Sequence, residues 1–540
     1  MMNSAPFDAP QVLRLAEKAR RRGDLAQAAG MFSDVLVRFP ANRKARQGVR
    51  TMGGRGVQAL SEKARQLEAS GALSDAEQHW ARALALRVDH VGLGLSLARC
   101  QLDLGRASAA LATVDQVLSH HPDDPVAWDT KGRALRDLGQ IEAANSAHLK
   151  ALGHGELDAG PLNHLGILAQ ASGDKTAAQD YFQRALTLAP DQPDLHQNLS
   201  RSLNYTADHP HLGQMQDALE RTDPDAAAPL HFALFNAYDK LNDTATAFAH
   251  LTRANTTRKA ALGYELQRDA IRFAFNKVVF ENSPPVMSRG QDTDLRPIFV
   301  VGLPRSGTTL VERILAQSKS THAAGELAAA SHAIAPLLRQ MKSETRQHLT
   351  QQDLIDLRTR LLKELKAHST DTPVLIDKMP LNFRWMGFLC AALPEARIVH
   401  IQRDPMAVAW SLYKHAFAGR GNGFAYDFAD IVGYMLLHRD LTQFWHNRFP
   451  EQIAPLSYRD LIDNTQATTQ SLAKAVDLEW HPDWTTPQKH AATVLTASAD
   501  QVRQPIYKGS DGEWTRYGAF LKPVRDAIEA AGLNTAAFPP

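Results

Sequence analysis

A short stretch near the middle of the chain carries residue types that bind an anion. Its apolar run, Ile298–Val301, predicts a buried strand, and the segment from Thr308 onward predicts a helix. The turn Gly302-Leu-Pro-Arg-Ser-Gly307 joins them. Unpaired backbone N–H groups and the positive end of a helix dipole meet at such a turn, and glycine lets the backbone approach an anion closely. The pattern predicts a phosphate-binding loop whose side-chain donors are Ser306, Thr308 and Thr309.

The glycine spacing of this loop matches a P-loop, but the end of the loop does not. An NTPase needs Lys followed by Ser or Thr after the second glycine, and this chain has Thr308-Thr309. Because no lysine reaches a γ-phosphate, ATP or GTP hydrolysis and nucleotide kinase activity are disfavoured. The string Pro304-Arg-Ser-Gly-Thr-Thr309 instead resembles the 5′-phosphosulfate loop of sulfotransferases, which use the donor PAPS (3′-phosphoadenosine 5′-phosphosulfate).

Length and composition indicate a soluble chain of about two to four domains. The 540 residues are 44% apolar and 22% charged, which is ordinary for soluble proteins. The 60 basic and 58 acidic residues nearly balance, so the charge gives no argument for a nucleic-acid partner or an anionic membrane. Cys100 and Cys390 are far apart, and we find neither a signal peptide pattern nor an apolar run of about 18 residues. We therefore expect a cytoplasmic protein without a membrane span.

The first half of the chain shows a repeat of 34 residues. The repeated glycines are Gly71, Gly105, Gly139 and Gly173. Alanine follows five residues later, at Ala76, Ala110, Ala144 and Ala178, and the residues nine places later are Trp80, Val114, His148 and Phe182. Glycine turns between two helices, alanine permits close helix packing, and the larger residue fills a groove. This period resembles the tetratricopeptide repeat (TPR), so we expect an α-solenoid of TPR helix pairs over residues 1–281 with a concave groove.

The second half changes to strands that alternate with helices. Residues 282–295 have the composition of a linker. Predicted strands are Ile298–Val301, Val374–Asp377, Arg397–Gln402 and Ile453–Ser457, and predicted helices lie at about 311–317, 353–366, 381–393 and 406–418. This order predicts an α/β, P-loop-like domain with a central parallel sheet over residues 296–540. Ligands bind beyond the carboxyl ends of the strands in such sheets.

Polar motifs follow each of these predicted strands. The loop at 302–309 follows the first strand, and Lys378 follows the second. Arg403 follows the third, with Ser411 on the next helix, and Tyr458 follows the fourth. Each residue alone is compatible with an ordinary surface or core role. Because the four strand ends meet at one edge of a parallel sheet, we expect these residues to form one site.

With these motifs in order, the chain resembles the sulfotransferase superfamily over residues 296–517, and within it the tyrosylprotein sulfotransferases and the bacterial TPR–sulfotransferase fusions. The resemblance implies that Glu326, in Gly325-Glu326, is the general base. It implies that Arg305 and Lys378 neutralise charge on the sulfuryl and bridging oxygens. It further implies that Arg403 and Ser411 bind the 3′-phosphate of PAPS or of its product PAP. Ser306, Gly307, Thr308 and Thr309 would hold the 5′-phosphosulfate, and Tyr458 would lie near the nucleotide.

Two matches to the family pattern are less direct. The family has a further arginine four residues after the serine, where this chain has His415 as a candidate ligand. Segment 498–505 resembles the family's Ser-Thr-Asp-Gln-Val segment, and 507–514 resembles the Lys-Gly-x-x-Gly-x-Trp lid of other sulfotransferases. The residues assigned from these segments are Ser498, which would hold the leaving oxygen, and Gln501, Val502 and Lys508.

The general base is the assignment with the most alternatives. Glu326 lies in Ala323–Ala330, a helix-forming segment in which it would equally suit the first turn of a helix. His322 and His332 are nearby alternative bases. No acidic metal-binding set is evident, and His120-His121 before Pro122 matches a surface turn better than a metal pair. We expect no metal.

The sequence therefore predicts a PAPS-dependent sulfotransferase that acts on a hydroxyl, with protein or peptide tyrosine as the family-based acceptor and the TPR groove recruiting it. A glycan, lipid or small-molecule acceptor is the first alternative. A TPR scaffold with a vestigial nucleotide site is another, against which the set of Arg305, Glu326, Lys378, Arg403 and Ser411 argues.

Overall fold

The computed structural model describes residues 7–154, 158–283, 293–369, 372–419, 421–487, 509 and 511–533. The chain divides into two compact units. One comprises Met1–Ala169 and Thr176–Ala189, and the other comprises Gln170–Lys175 and Pro190–Pro540. The sheet and every described residue of the predicted site belong to the second unit. The predicted domain boundary at residue 281 stays a prediction.

Helices follow one another throughout the first half of the chain. They are α1 (Ala9–Arg21), α2 (Leu25–Arg38), α3 (Arg43–Met52), α4 (Gly54–Ala69), α5 (Leu73–Leu86), α6 (Val91–Asp103), α7 (Ala107–His120), α8 (Pro125–Asp137), α9 (Ile141–His154), α10 (Ala159–Ser172) and α11 (Lys175–Leu188). The helices α12 (Pro193–Ser202), α13 (Pro210–Arg221), α14 (Ala228–Lys240), α15 (Thr244–Leu262) and α16 (Leu266–Glu281) continue the series.

The repeat pattern has the structural basis that the sequence predicts. The four repeat glycines lie between the helices of a pair, and their φ angles run from 71° to 90°, a region that glycine enters without steric cost. The repeat alanines are fully buried between helices, and Trp80, Val114, His148 and Phe182 are buried beside them. The predicted α-solenoid of helix pairs is therefore confirmed.

The second unit is built on a five-stranded parallel sheet. Its strands are β1 (Arg296–Gly302), β2 (Thr321–Ala323), β3 (Val374–Asp377), β4 (Arg397–Gln402) and β5 (Ile453–Ser457). The spatial order is β2-β3-β1-β4-β5, and all pairs are parallel. The accompanying helices are α17 (Thr308–Leu315), α18 (Ala329–Ser343), α19 (Gln351–Lys366), α20 (Met386–Ala392), α21 (Pro405–Tyr413), α22 (Phe428–Arg448), α23 (Tyr458–Asp463), α24 (Thr465–Ala475) and α25 (Gly518–Ala530).

Both faces of the sheet are covered, which is why β1 is a continuous apolar run. Ile298 and Val300 pack in one apolar cluster with residues of α17, while Phe299 and Val301 pack in another with residues of α18, α20 and α22. A central parallel strand with two buried faces needs apolar residues at every position. The central position of β1 places its carboxyl end, and the loop that follows, between the ends of β3 and β4.

The structure corrects several predicted elements. The predicted helix at 381–393 is a 3₁₀ turn, Pro380–Trp385, followed by α20, and the predicted helix at 406–418 ends at Tyr413, so that His415 lies in the following loop. The segment Ala323–Ala330 is not one helix: Ala323 ends β2, α18 begins at Ala329, and Glu326 lies in the connection between them. Glu326 is therefore not in the first turn of a helix. No described helix is both long and apolar enough to cross a membrane.

Candidate active site

The loop between β1 and α17 accepts only glycine at two positions. A Cβ atom on Gly302 would lie 2.6 Å from the backbone oxygen of Ile401 in the neighbouring strand. Gly307 has a φ of 105°, and a Cβ atom there would lie 2.5 Å from the Tyr458 ring. Gly307 also precedes α17 without a side-chain cap, so the amides of the first helical turn have no capping group from this residue. The loop therefore offers an uncapped helix N-terminus held tightly against β4 and α23.

Ser306 has an unusual environment at the centre of this loop. Its side chain is 1% exposed, and its Oγ atom has no hydrogen-bond partner in the described structure. Thr308 and Thr309 beside it are also buried. A buried hydroxyl without a partner is costly, and its presence marks a position that a ligand would satisfy. The donor set of the loop, hydroxyls at a helix N-terminus, suits the oxygens of a phosphate or sulfate.

Arg305, which lies in this loop, contacts Arg403, which directly follows β4. Arg305 donates from Nε to Ser411 Oγ at 2.9 Å, and Arg403 donates from Nη1 to the Arg305 carbonyl at 3.0 Å. Arg403 also stacks over the Tyr458 ring, with its Cζ atom 4.6 Å from the ring centroid. We call Arg305, Arg403, Ser411 and Tyr458 the arginine cluster. Residues that the sequence placed after three different strands are thus joined by successive contacts, Ser411 to Arg305, Arg305 to Arg403 and Arg403 to Tyr458.

Charge repulsion and burial shape this cluster. The pKa of Arg305 is lowered to about 10 by burial first and by the nearby Arg403 second, so the Arg305 guanidinium remains charged at neutral pH. His415 lies in the loop after α21, and burial, followed by Arg305, holds its pKa well below the usual range. The His415 ring is therefore neutral. It offers a hydrogen bond where the family has a cation.

The C-terminal part of the chain supplies acidic partners that the sequence did not indicate. Arg403 donates from Nε to Asp511 at 2.6 Å, and Lys414 pairs with Glu513 at 2.7 Å. Both carboxylates lie in the segment that resembles a lid. The assigned residues Ser498, Gln501, Val502 and Lys508 lie outside the described residues, so their roles stay predictions.

A second group of predicted site residues follows β2 and β3 and contains one lysine among carboxylates. Lys378 is fully buried at the end of β3, and its Nζ atom lies 2.5 Å from Glu326 Oε1. Glu326 is 44% exposed. The predicted base and one predicted cation are therefore directly paired, with the carboxylate open to solvent and the lysine enclosed. The alternative base His332 lies 3.3 Å from Glu364, and His322 belongs to β2.

Two further carboxylates belong to this end of the site. Glu312 of α17 is buried, accepts from the Gly325 amide at 3.1 Å, and has its pKa raised by burial. The side chain of Asp377 is also fully buried, and burial raises its pKa to about 8. Asp377 accepts from the Leu327 amide and from Asn382. We call Glu312, Glu326, Asp377 and Lys378 the carboxylate cluster.

Sequence reasoning missed Glu312 and Asp377, although a signal was present for each. Glu312 is a carboxylate among the apolar residues of α17, and a charge inside an apolar helix face needs a partner. Asp377 is the last residue of an otherwise apolar strand, directly before Lys378. A buried carboxylate adjacent to a buried cation at a strand end is typical of a functional site.

Comparisons with known proteins agree with this architecture. A model of the sulfotransferase family matches residues 297–482, and tetratricopeptide repeat models match residues 67–134 and 159–192. An uncharacterized protein of Aquifex aeolicus (strain VF5) is 31% identical over 318 residues, which cover 55% of this chain and 41% of that protein. The chain thus spans about two fifths of the length of this curated relative.

Solved structures of repeat proteins are similar to parts of the chain. A tetratricopeptide repeat protein from Parabacteroides merdae ATCC 43184 shares 16% identity and covers 46% of this chain and 93% of its own, with a TM-score of 0.30. A thermophilic TPR protein of Thermus thermophilus shares 24% identity and covers 33% and 98%, with a TM-score of 0.29. The family matches, rather than these structural similarities, identify the two parts. The chain combines tetratricopeptide repeats with a domain of the sulfotransferase family.

Proposed function

We propose that this protein transfers the sulfuryl group of PAPS to an acceptor hydroxyl, with protein or peptide tyrosine as the acceptor. The observation that carries the proposal is the buried, unpartnered Ser306 hydroxyl in a loop bordered by Arg305 and Arg403. PAPS supplies the activated sulfuryl group, and it carries anionic groups at both its 5′ and 3′ positions. A site that fits it needs two anion-binding regions, and the loop and the arginine cluster provide them.

The arginine cluster supports nucleotide binding. Ser411 and Arg403 would bind the 3′-phosphate, since a guanidinium and a hydroxyl together provide several donors to one anion. Arg305 connects the loop to this pair, because its Nε atom donates to Ser411 while its carbonyl accepts from Arg403. Ser306, Gly307, Thr308 and Thr309 would hold the 5′ group. Asp511 would compete with the phosphate for the Arg403 guanidinium, with which it forms an ion pair.

The carboxylate cluster supports proton transfer from the acceptor. Glu326 is exposed enough to reach an acceptor hydroxyl, and Lys378 lies beside it to neutralise charge that develops on transferred oxygens. Buried Glu312 and Asp377 surround the lysine, and burial favours their protonated forms. Glu326 would take the proton of the acceptor hydroxyl and release it to solvent, to which its carboxylate is open.

The repeats support recruitment of a macromolecular acceptor. Solenoids of this kind present an extended concave surface, which suits a peptide better than a small molecule. A glycan, lipid or small-molecule acceptor is the alternative within the same chemistry. Full-length protein assayed with a tyrosine-containing acidic peptide, a free phenol and a sugar alcohol would separate these acceptors. A kcat/KM at least tenfold higher for the peptide than for the phenol would support the proposal. Equal values for the two acceptors would contradict recruitment of the acceptor by the repeats.

The experiment that tests the nucleotide site is calorimetric binding of PAP and of ATP to the full chain in the absence of magnesium. We expect PAP to bind and ATP to fail, because the loop lacks the lysine of a nucleotide-hydrolysing P-loop. Arg403→Ala should weaken the binding of PAP, and its matched control is Arg459→Ala, which removes an exposed arginine on α23. Failure of PAP to bind the unmodified chain would favour a scaffold with a vestigial site.

A further inference from the structure

Three potential metal ligands meet in the first unit, outside the site described above. Asp129 comes from α8, His148 from α9 and His164 from α10. The Nδ1 atoms of His148 and His164 lie 2.8 and 2.9 Å from the same oxygen, Asp129 Oδ1. One ligand atom from each residue lies within 4.8 Å of the others, and no other described group of histidine, cysteine and acidic residues does so.

The distances between these nitrogen and oxygen atoms approach the distances between neighbouring ligand atoms around a coordinated metal ion. Zinc binds histidine nitrogen and carboxylate oxygen at about 2.0–2.2 Å, so tetrahedral coordination places neighbouring ligand atoms about 3.3 Å apart. The nitrogen–oxygen distances in this cluster therefore need to lengthen by about half an ångström. Without an ion, the imidazoles donate to the carboxylate. Coordination through Nδ1 requires the proton of each ring to reside on Nε2, so that a neutral imidazole presents its free Nδ1 lone pair to the ion.

The surroundings hold the cluster in place and leave it reachable. His148 is fully buried and packs against Gly132, where a Cβ atom would lie 2.5 Å from its ring. Its Nε2 atom is enclosed, so its Nδ1 atom is the nitrogen that faces Asp129. The side chains of Asp129 and His164 are 17% and 18% exposed. An ion could therefore enter from the side of these two residues, and a water molecule could complete the coordination.

Other histidine clusters in the described chain lack this composition. His196 contacts His211, His231 contacts His250, and His400 contacts both His438 and His446. In each of these groups the contact given joins imidazole to imidazole. Two imidazoles and one carboxylate are the ligand set of many three-residue zinc sites, whereas imidazoles alone in an apolar core serve packing equally well.

We propose that Asp129, His148 and His164 bind one divalent transition-metal ion of the zinc class, with water as the fourth ligand. Each ligand comes from a different one of three consecutive helices. The ion would therefore join two neighbouring repeats of the solenoid and stabilise their packing. This site is independent of the proposed sulfuryl transfer, because every ligand lies in the first unit and none belongs to the sheet domain.

The test uses the full chain, stripped of metal with EDTA and titrated with Co²⁺ as a spectroscopic probe and with Zn²⁺ by calorimetry. We expect the unmodified chain to bind one equivalent that gives visible absorption of Co²⁺ with imidazole ligands. Asp129→Asn and His164→Ala should each lose that equivalent, with a fall in affinity at least as large as the roughly 10- to 100-fold cost of removing an outer-shell partner. Both substitutions spare the buried His148, and circular dichroism in EDTA checks that each variant is folded.

The matched control is the double substitution His120→Ala and His121→Ala, which removes two exposed histidines from the same unit. This variant should keep the equivalent, and so should Arg403→Ala. Zinc should raise the melting temperature of the unmodified chain and of both controls, but not that of the two site variants. Equal metal binding by the unmodified chain and the folded site variants would overturn the proposal, as would the absence of any binding to the unmodified chain.

Discussion

The arginine cluster and the carboxylate cluster lie at the same edge of one sheet, yet their chemistry is opposite. The first combines two guanidiniums, which suit an anion, with neutral hydroxyls, and it is held by hydrogen bonds of 2.9 Å from Arg305 to Ser411 and 3.0 Å from Arg403 to the Arg305 carbonyl. The second has three carboxyls around a single lysine, two of them buried. Arg305 of the first cluster lies in the loop from Gly302 to Gly307, and Glu312 of the second lies on α17, which follows that loop.

We therefore expect the two clusters to have different roles, anion binding for the arginine cluster and proton transfer for the carboxylate cluster. Permanent positive charge suits a ligand that stays anionic throughout the reaction, such as a phosphate group. A carboxyl whose pKa is raised by burial, as those of Glu312 and Asp377 are, suits the surroundings of a step in which a proton moves. Substitutions in the carboxylate cluster should therefore alter turnover, whereas substitutions in the arginine cluster should alter nucleotide affinity.

The largest effect is expected for Glu326→Gln. If Glu326 is the base, kcat should fall by about 10²- to 10⁴-fold, because the amide cannot accept the acceptor's proton. The affinity for PAP should stay within a few-fold of its original value. Steady-state kinetics and calorimetry measure the two quantities, and Glu344→Gln, on an exposed carboxylate of the same unit, is the control. Retained turnover would exclude the base assignment.

A smaller effect, on the affinity for PAP rather than on kcat, is expected for Arg403→Ala. Loss of a charge-assisted hydrogen bond costs about 1.5–3 kcal/mol, which corresponds to a decrease in PAP affinity of roughly 10- to 150-fold. The variant also frees Asp511, whose carboxylate would repel the phosphate. Calorimetric titration with PAP measures the change, and Arg459→Ala again serves as the control. Unchanged affinity would place the 3′-phosphate elsewhere.

The pH dependence of stability tests the environment of Asp377. Its folded pKa, about 8, is higher than its unfolded value, so its contribution to the free energy of unfolding is full below about pH 4 and is lost as pH rises through 8. Asp377→Asn removes this titration. The variant should therefore gain stability relative to the unmodified chain as pH increases from 4 to 8. Denaturant unfolding at pH 5, 6.5 and 8 measures the trend, and a difference that is constant with pH would show that Asp377 is ionised throughout.

The smallest effect is expected for Tyr458→Leu. The substitution keeps an apolar side chain beside Gly307 but removes the ring beneath Arg403, a contact worth about 0.5–1 kcal/mol. PAP affinity should fall only a few-fold, and kcat should not change. A loss as large as that of Arg403→Ala would mean that Tyr458 binds the nucleotide directly rather than positioning the arginine.

Much of this organisation is predictable because it depends on local pattern. The strands β3, β4 and β5 have the bounds that the sequence predicts, since each is a short apolar run between turns. Helix bounds were less predictable: α21 stops at Tyr413, about five residues before the pattern suggested, and in Ala323–Ala330 a strand end and a connection precede α18, which begins only at Ala329. Helix propensity is a weak preference that packing against a sheet overrides.

The sequence by itself determined the repeat, the glycine-containing loop between β1 and α17 and the residues at each strand end, because spacing and residue type encode the local backbone. Tertiary structure alone decided which of these residues touch. The pairing of Lys378 with Glu326 joins residues 52 positions apart, and the contact of Arg305 with Ser411 joins residues 106 apart. It also decided the burial of Glu312 and Asp377, and burial sets the pKa of a carboxyl. No pattern along the chain contains that information, because desolvation depends on every element packed around the group.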